Sequence, residues 1–297
     1  MQTENQTMKN IFYYLTLIFG ILMLSACSPN QDENGDFLNG VEYDFNPNNG
    51  STNPTIKNIK KVTSIDSGGD KVVATYNYTS NKLTSVTADD NSFKYTLTYA
   101  ADQISKVDYE SVDDFSGDRT VNSQDLTYTS GKLTSSKGIN KVNGTIVYNS
   151  TTTYEYTSDK IKSIVTKVKD ETNTNELFTI KTDYTFSGSN VIGMKYTVST
   201  VPGPVTIDPI VITTAFSNYD TYKNPLNSLP MAFKLVSSHF DLENNVGSGL
   251  SINNAKTMKA TTNAESITAD LKFAYDTDGY PIVGTSDQGS VAFEYVK

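Results

Sequence analysis

One run of oxygen-bearing side chains has the spacing of a metal loop. Asp114, Ser116, Asp118, Thr120 and Asp125 follow the ligand order of a calcium-binding loop, with the aliphatic Val121 where such a loop places one. Oxygen ligands on alternating residues suit calcium. Arg119 stands where the sharp turn wants Gly, adding a cation and backbone strain. The plainer reading is an acidic loop at the open end of a hairpin. The carboxylate pairs Asp89-Asp90 and Asp113-Asp114 raise glycoside hydrolysis, which needs two acids across a cleft, one with a raised pKa. Neighbours on a strand point to opposite faces, so neither pair converges unaided. His239 lies in the strand-like stretch Leu235 to Phe240 and reads as structural, because no motif supplies the partners of a triad. No Gly-x-Ser-x-Gly elbow and no phosphate-binding glycine loop occur. Tyrosine remains: Tyr78, Tyr99, Tyr128, Tyr156 and Tyr275 either stack on sugar rings or a partner, or form a sheet's buried face with hydroxyls at its edge. The second reading is the expected one.

Composition narrows the classes further. The 297 residues include one Cys, one His and no Trp, with 33 acidic against 24 basic side chains and a net charge of −9. One Cys builds neither an internal disulfide framework nor a thiolate metal site. One His excludes histidine clusters for zinc or iron. An acidic chain whose only Arg is Arg119 is a poor partner for nucleic acid. No cofactor is expected beyond the calcium candidate and a covalent lipid.

That lipid is read from the N-terminus. Lys9 and Asn10 precede an apolar run, Ile11 to Leu24, of the length of a signal-peptide core and short for a membrane span. It ends in Leu24-Ser25-Ala26-Cys27, which looks like a bacterial lipobox. The resemblance implies that residues 1–26 are removed and Cys27 is acylated; several acyl chains anchor stably where one does not. Either Met1 or Met8 is the start. Residues 27–56 read as a tether: a polar, acidic stretch from Ser28 to Asp36 and a Pro/Asn/Gly-rich one from Asn46 to Thr55, with Phe37 to Phe45 between them as a possible strand. The acidic stretch resembles that of surface-exported lipoproteins of Bacteroidota. It implies the outer leaflet of the outer membrane, with a periplasm-facing tether as the alternative.

Residues 57–297 show almost no helical period and alternate apolar with polar residues, the strand pattern. A unit recurs six times: two aromatic or Leu positions two apart, a polar turn, an aliphatic, and a second aliphatic three residues on. It reads Tyr76-x-Tyr78 to Leu83-x-x-Val86, Leu97-x-Tyr99 to Ile104-x-x-Val107, Leu126-x-Tyr128 to Leu133 (with Ser136 in the last place), Tyr154-x-Tyr156 to Ile161-x-x-Ile164, Tyr184-x-Phe186 to Val191-x-x-Met194, and Phe273-x-Tyr275 to Tyr280-x-x-Val283. The two aromatics share a strand face and the first aliphatic packs back on them across the turn. Spacing of three, not two, calls for a bulge or a local twist to return the second aliphatic to that face. One hairpin cannot bury its face, so the hairpins must stack. The pattern resembles the YD repeats of the Rhs family, most closely at Tyr275-Asp276-Thr277-Asp278-Gly279. The body as a whole resembles an uncharacterised lipoprotein domain family of Bacteroidota, which shares Lys223-Asn224-Pro225-Leu226 and the segment from Tyr275 to Pro281.

The expected fold is an all-β antiparallel meander of stacked hairpins, a curved single sheet or open half-barrel with little helix. Prolines between Asn218 and Phe233 place any helix there, covering one end of the sheet. The expected function is a membrane-anchored, non-enzymatic cell-surface module that binds a protein or glycan partner or serves structurally. The alternatives are a glycan-binding component of polysaccharide uptake and, more remotely, a glycoside hydrolase.

Overall fold

A computed structural model describes residues 56–113, 116–201, 208–237, 246–262 and 265–296. Cys27, the signal segment, the tether, Asp114 and His239 lie outside the described residues. Seventeen antiparallel strands form one sheet. They are β1 (Ile59–Asp66), β2 (Lys71–Thr79), β3 (Lys82–Ala88), β4 (Phe93–Ala100), β5 (Gln103–Val112), β6 (Arg119–Thr129), β7 (Lys132–Val142), β8 (Thr145–Thr157) and β9 (Lys160–Lys169), followed by β10 (Glu176–Ser187), β11 (Asn190–Thr200), β12 (Ile210–Ser217), β13 (Thr257–Thr261), β14 (Ser266–Asp270), β15 (Lys272–Tyr275), β16 (Pro281–Ser286) and β17 (Gly289–Tyr295).

All six sequence repeats are hairpins, and each carries the bulge that its spacing demands. Tyr78 pairs with Leu83 while Asn77 pairs with Ser85, leaving Thr84 as the extra residue. The same shift occurs at Tyr99, Tyr128, Tyr156, Phe186 and Tyr275. The bulge turns both aliphatics inward, so Leu83 and Val86, Ile104 and Val107, and Ile161 and Ile164 are all buried.

The meander curls further than a half-barrel. Strand β1 pairs with β2 on one edge and with β17 on the other. Strands β14 and β15 run in one direction through the bend at Leu271, the first paired to β13 and the second to β16. Counted as one stave they leave an even number, which an antiparallel ring requires. The ring is therefore nearly closed, with a seam at Leu271.

The segment between β12 and β13 folds into the barrel as a plug. It contains a 3-10 turn (Pro225–Ser228), the helix α1 (Met231–Ser237) and a helical turn at Val246–Gly249. This helix falls at the end of the proline-rich region where the sequence places one. Ala232, Phe233, Leu235 and Val236 of α1 join the same core as the inward residues of the wall. Phe233 meets Tyr95 edge to face at 5.4 Å, a favourable aromatic geometry. All six repeat turns and the plug lie at one end of the barrel; the remaining connections form the other.

Candidate functional site

At the plug end the repeat tyrosines are structural. Tyr99 donates its hydroxyl to the Leu83 carbonyl of the preceding hairpin at 2.9 Å, and Tyr128 donates to Ile104 at 2.8 Å. A lysine that the repeat description omits joins three of the hairpins to the next. Lys82 ion-pairs with Asp102 in the next turn at 2.7 Å and lies 5.3 Å from the centre of the Tyr99 ring. Lys132 does the same with Asp159 and Tyr156. Lys160 reaches the Gly188 carbonyl and the Phe186 ring. The Lys after each of these turns thus latches onto the following hairpin. It was visible in the sequence, and its role needed only the neighbour's identity.

The Tyr275-to-Pro281 segment explains its own composition. Asp276 Oδ1 accepts the backbone N–H groups of Asp278 and Tyr280, and its Oδ2 accepts from Lys57 Nζ at 2.7 Å. Gly279 takes a φ of +79°, which Gly adopts without a Cβ penalty. Lys57 also pairs with Asp278, and its backbone N–H donates to the Tyr280 hydroxyl. The body therefore begins at the plug end. Tyr275 donates to Asp220, and burial, followed by that bond, drives the phenol pKa upward. Turn residue Asn190 clasps the plug by accepting the N–H groups of Ile252 and Asn253, both at 3.1 Å.

Inside the wall, β6 to β9 carry a polar strip. Gln124 bonds Asn122 at 3.0 Å and accepts from Ser136 at 2.8 Å, and Ser136 lies 3.3 Å from the Tyr154 hydroxyl. Ser136 is the residue that broke the repeat; its serine joins this network in place of an aliphatic contact. Gly138 clears the space, since a Cβ there would collide with Gln124 and Ser150. Lys234 of α1 is buried and its Nζ donates to the Gly249 carbonyl at 3.1 Å. Burial pulls its pKa down to about 8.

On the outer wall, the seam opens a cleft of about 500 Å³ lined by Asn218, Tyr219, Lys256, Thr257, Asp270, Leu271 and Lys272. It forms where the plug leaves and rejoins the wall. Thr257 takes a bond from Asn218 at 2.9 Å and gives one to Asp270 at 2.6 Å.

The far end is a rim of carboxylates. Among the described residues its connections carry Asp70, Asp89, Asp90, Asp113, Asp118, Asp170, Glu171, Asp208, Glu265 and Asp287, with Asp66, Lys71, Arg119 and Lys169 at the strand ends beside them. Several organise their own turns. Asp66 accepts from Asp70 N–H, Asp90 from Ser92, Asp113 from Ser116, and Asp170 from Thr174. These bonds, led by the Thr174 N–H, hold Asp170 down at about 2. Every described carboxylate with a displaced pKa is displaced downward, Asp89 and Asp90 included.

Of the calcium candidates, Ser116 and Asp118 lie in the β5–β6 connection, while Thr120 and Asp125 stand on β6. Five residues of extended strand separate those two by roughly 16 Å, too far to share one ion. Among the described residues no three His, Cys, Asp or Glu side chains are grouped to hold a metal.

The outward face of the wall is charged. Lys106 pairs with Asp108 and Lys181 with Asp183, while Arg119 contacts Glu110 and Lys167 contacts Glu176. A bilayer-spanning barrel carries an outward apolar band instead.

No family model matches the chain, and no curated protein matches its sequence. Its fold is similar to that of a crystal structure described as a porin-like protein from Bacteroides vulgatus ATCC 8482, at a TM-score of 0.54 and 14% identity over 81% of this chain and 99% of the other. A porin-like protein from Bacteroides uniformis ATCC 8492 matches at a TM-score of 0.42 and 12% identity, over 80% of this chain and 96% of that one. At 14% identity the first likeness is one of fold alone.

Proposed function

We propose that this chain is a lipid-anchored, non-catalytic cell-surface module whose barrel stands in water and offers its surface to a partner. The observation that carries the reading is a nearly closed wall, charged outside and plugged inside: it has neither the lipid-facing band nor the open lumen of a pore. The repeated hairpins support the likeness to YD-type repeats, and the Bacteroides neighbours support an outer-membrane setting. Cys27 is the anchor in this reading. Mass spectrometry of the mature chain tests it, with acylated Cys27 as residue 1 expected and an unmodified Cys27 contradicting it. Protease treatment of intact cells tests display: the body is expected to be cut before lysis, and protection until lysis places it on the periplasmic side.

A second reading, a glycan-binding component of polysaccharide uptake, is favoured by the seam cleft. Its volume falls in the range of small-ligand sites, and it sets Asn218, Thr257 and Asp270 beside Tyr219. Binding to a panel of glycans that is lost in Asp270→Ala supports this reading; no binding by the intact chain removes it.

A further inference from the structure

We propose that the chain's two ends build a seventh hairpin of the repeat, and that the ring opens where this hairpin meets the first, between β1 and β2. Neither β1 nor β17 carries the whole unit; each holds half of it. Tyr295 pairs with Ile59, Glu294 with Lys61 and Phe293 with Val62, leaving Lys60 as the extra residue. Tyr78 with Leu83, Asn77 with Ser85 and Tyr76 with Val86 have the same register around Thr84. Phe293-x-Tyr295 thus supplies the aromatics and Ile59-x-x-Val62 the aliphatics. Ile59 is fully buried, and Val62 and Tyr295 pack against the same core. The Tyr295 hydroxyl donates to the Pro281 carbonyl at 2.5 Å. Pro281 faces Tyr275 as Leu83 faces Tyr78, so this bond repeats the one from Tyr99 to Leu83. Val296 N–H donates to the Asn58 carbonyl at 2.8 Å, and Lys57 holds Asp276 and Asp278, so β1 is fastened on its β17 side.

On its β2 side the plug-end links are missing. The Tyr78 hydroxyl, placed to reach back as those of Tyr99 and Tyr128 do, is buried and finds no partner among the described residues. A buried hydroxyl left unpaired costs free energy where a bonded one stabilises. Asn58 stands just before Ile59, in the place that Lys82, Lys132 and Lys160 take before their own aliphatics. Every other joint between adjacent repeat hairpins has at least one link, from the hydroxyl of Tyr99, Tyr128 or Tyr295 or the amine of Lys82, Lys132 or Lys160. The brace that remains is on the outside: Asp89 accepts from Lys61 at 3.1 Å and from Thr75 at 2.9 Å, at the surface, where such pairs contribute little. Pairing of β1 with β2 ends at Lys61 and Thr75. A joint held by its ladder and a surface brace opens at lower cost than one that is also linked. The turn at residues 67–70, with Gly68 and Gly69, is the hinge, and opening bares the plug-end edge of β2.

The test is amide hydrogen exchange, with urea unfolding beside it, on the full chain and on three variants that each delete one hydroxyl. The joint between β3 and β4 is the control, since it has both links and a rim turn of similar length. In the unaltered chain, amides across the β1–β2 joint are expected to exchange at least about tenfold faster than those across β3–β4. Tyr99→Phe is expected to speed exchange across β3–β4 about fivefold and to lower the urea midpoint, the loss of one net hydrogen bond. Tyr295→Phe is expected to do the same across β16–β17. Tyr78→Phe is expected to leave both readouts unchanged, because no bond is lost. Equal exchange across the two joints overturns the opening, and so does a Tyr78→Phe midpoint that falls as far as that of Tyr99→Phe. A Tyr295→Phe variant indistinguishable from the unaltered chain overturns the seventh hairpin.

Discussion

The plug end and the rim of this barrel are made of similar residues put to different uses. At the plug end, three of the hairpin turns hand a lysine to the next hairpin, the Tyr99 and Tyr128 hydroxyls reach back to the previous one, and an apolar helix fills the space between. Contacts there run between hairpins. At the rim, carboxylates bond mainly the backbone of their own turns, although Asp118 also accepts from Asn143 of the next turn and Asp89 from Lys61 and Thr75, and the connections vary in length. Stability is concentrated where elements touch one another. The rim is left free for whatever the surface of the molecule does.

The largest blow to that contrast comes from the plug. Phe233→Ala removes the ring packed on Tyr95 and is expected to cost about 3–5 kcal/mol in urea unfolding, as large-to-small core changes do. A loss under about 1 kcal/mol would show that the helix is not part of the core.

A change of opposite sign lies one residue away. Lys234 is buried with its pKa lowered to about 8 from 10.5. Between those values the unfolded chain holds the proton and the folded chain does not, so stability rises with pH across that window. Lys234→Met removes the charge and is expected to gain on the order of 2 kcal/mol at pH 7, after allowing for the lost bond to Gly249, and to abolish the rise. Tyrosines act in the other direction. Burial pushes Tyr78 and Tyr128 up to about 12. Above about pH 10 the unfolded chain loses phenolic protons that the folded chain keeps, so stability then falls. Melting temperature against pH is therefore expected to peak near about pH 10, with tyrosinate absorbance lagging until the chain unfolds. A melting temperature that is flat from pH 8 to 10 would remove the buried-amine account.

Smaller effects sharpen the comparison. Lys132→Met breaks one latch and is expected to cost about 0.5–1 kcal/mol, because its partner Asp159 is largely exposed while the Tyr156 ring is part-buried. Asp170→Asn at the rim is expected to leave the urea midpoint nearly unchanged, since an amide oxygen still accepts the Thr174 N–H. A rim substitution costing more than the latch would invert the contrast.

The same contrast governs what the sequence reveals. Six hairpins follow from the repeated unit, and the spacing of three between its two aliphatics, where a plain strand would use two, is met by a bulge in each. The helix near Pro230 followed from prolines that no central strand accepts. Ring closure was not legible, because β1 and β17 meet across more than two hundred residues and neither carries the repeat. The plug's depth was hidden too: its clamps are Asn190, Asn224, Asn253 and Asn254, ordinary turn residues until the fold brings them together. The calcium-like spacing runs out of the β5–β6 connection onto β6, where Thr120 and Asp125 stand.

Partition between water and detergent decides whether the barrel stands beside the membrane or within it. A chain beginning at residue 27 with Cys27→Ser is expected to enter the aqueous phase of a Triton X-114 separation, folded and β-rich, while the acylated protein enters the detergent phase. A folded Cys27→Ser body recovered in the detergent phase would mean that the wall itself meets lipid, and would contradict the account.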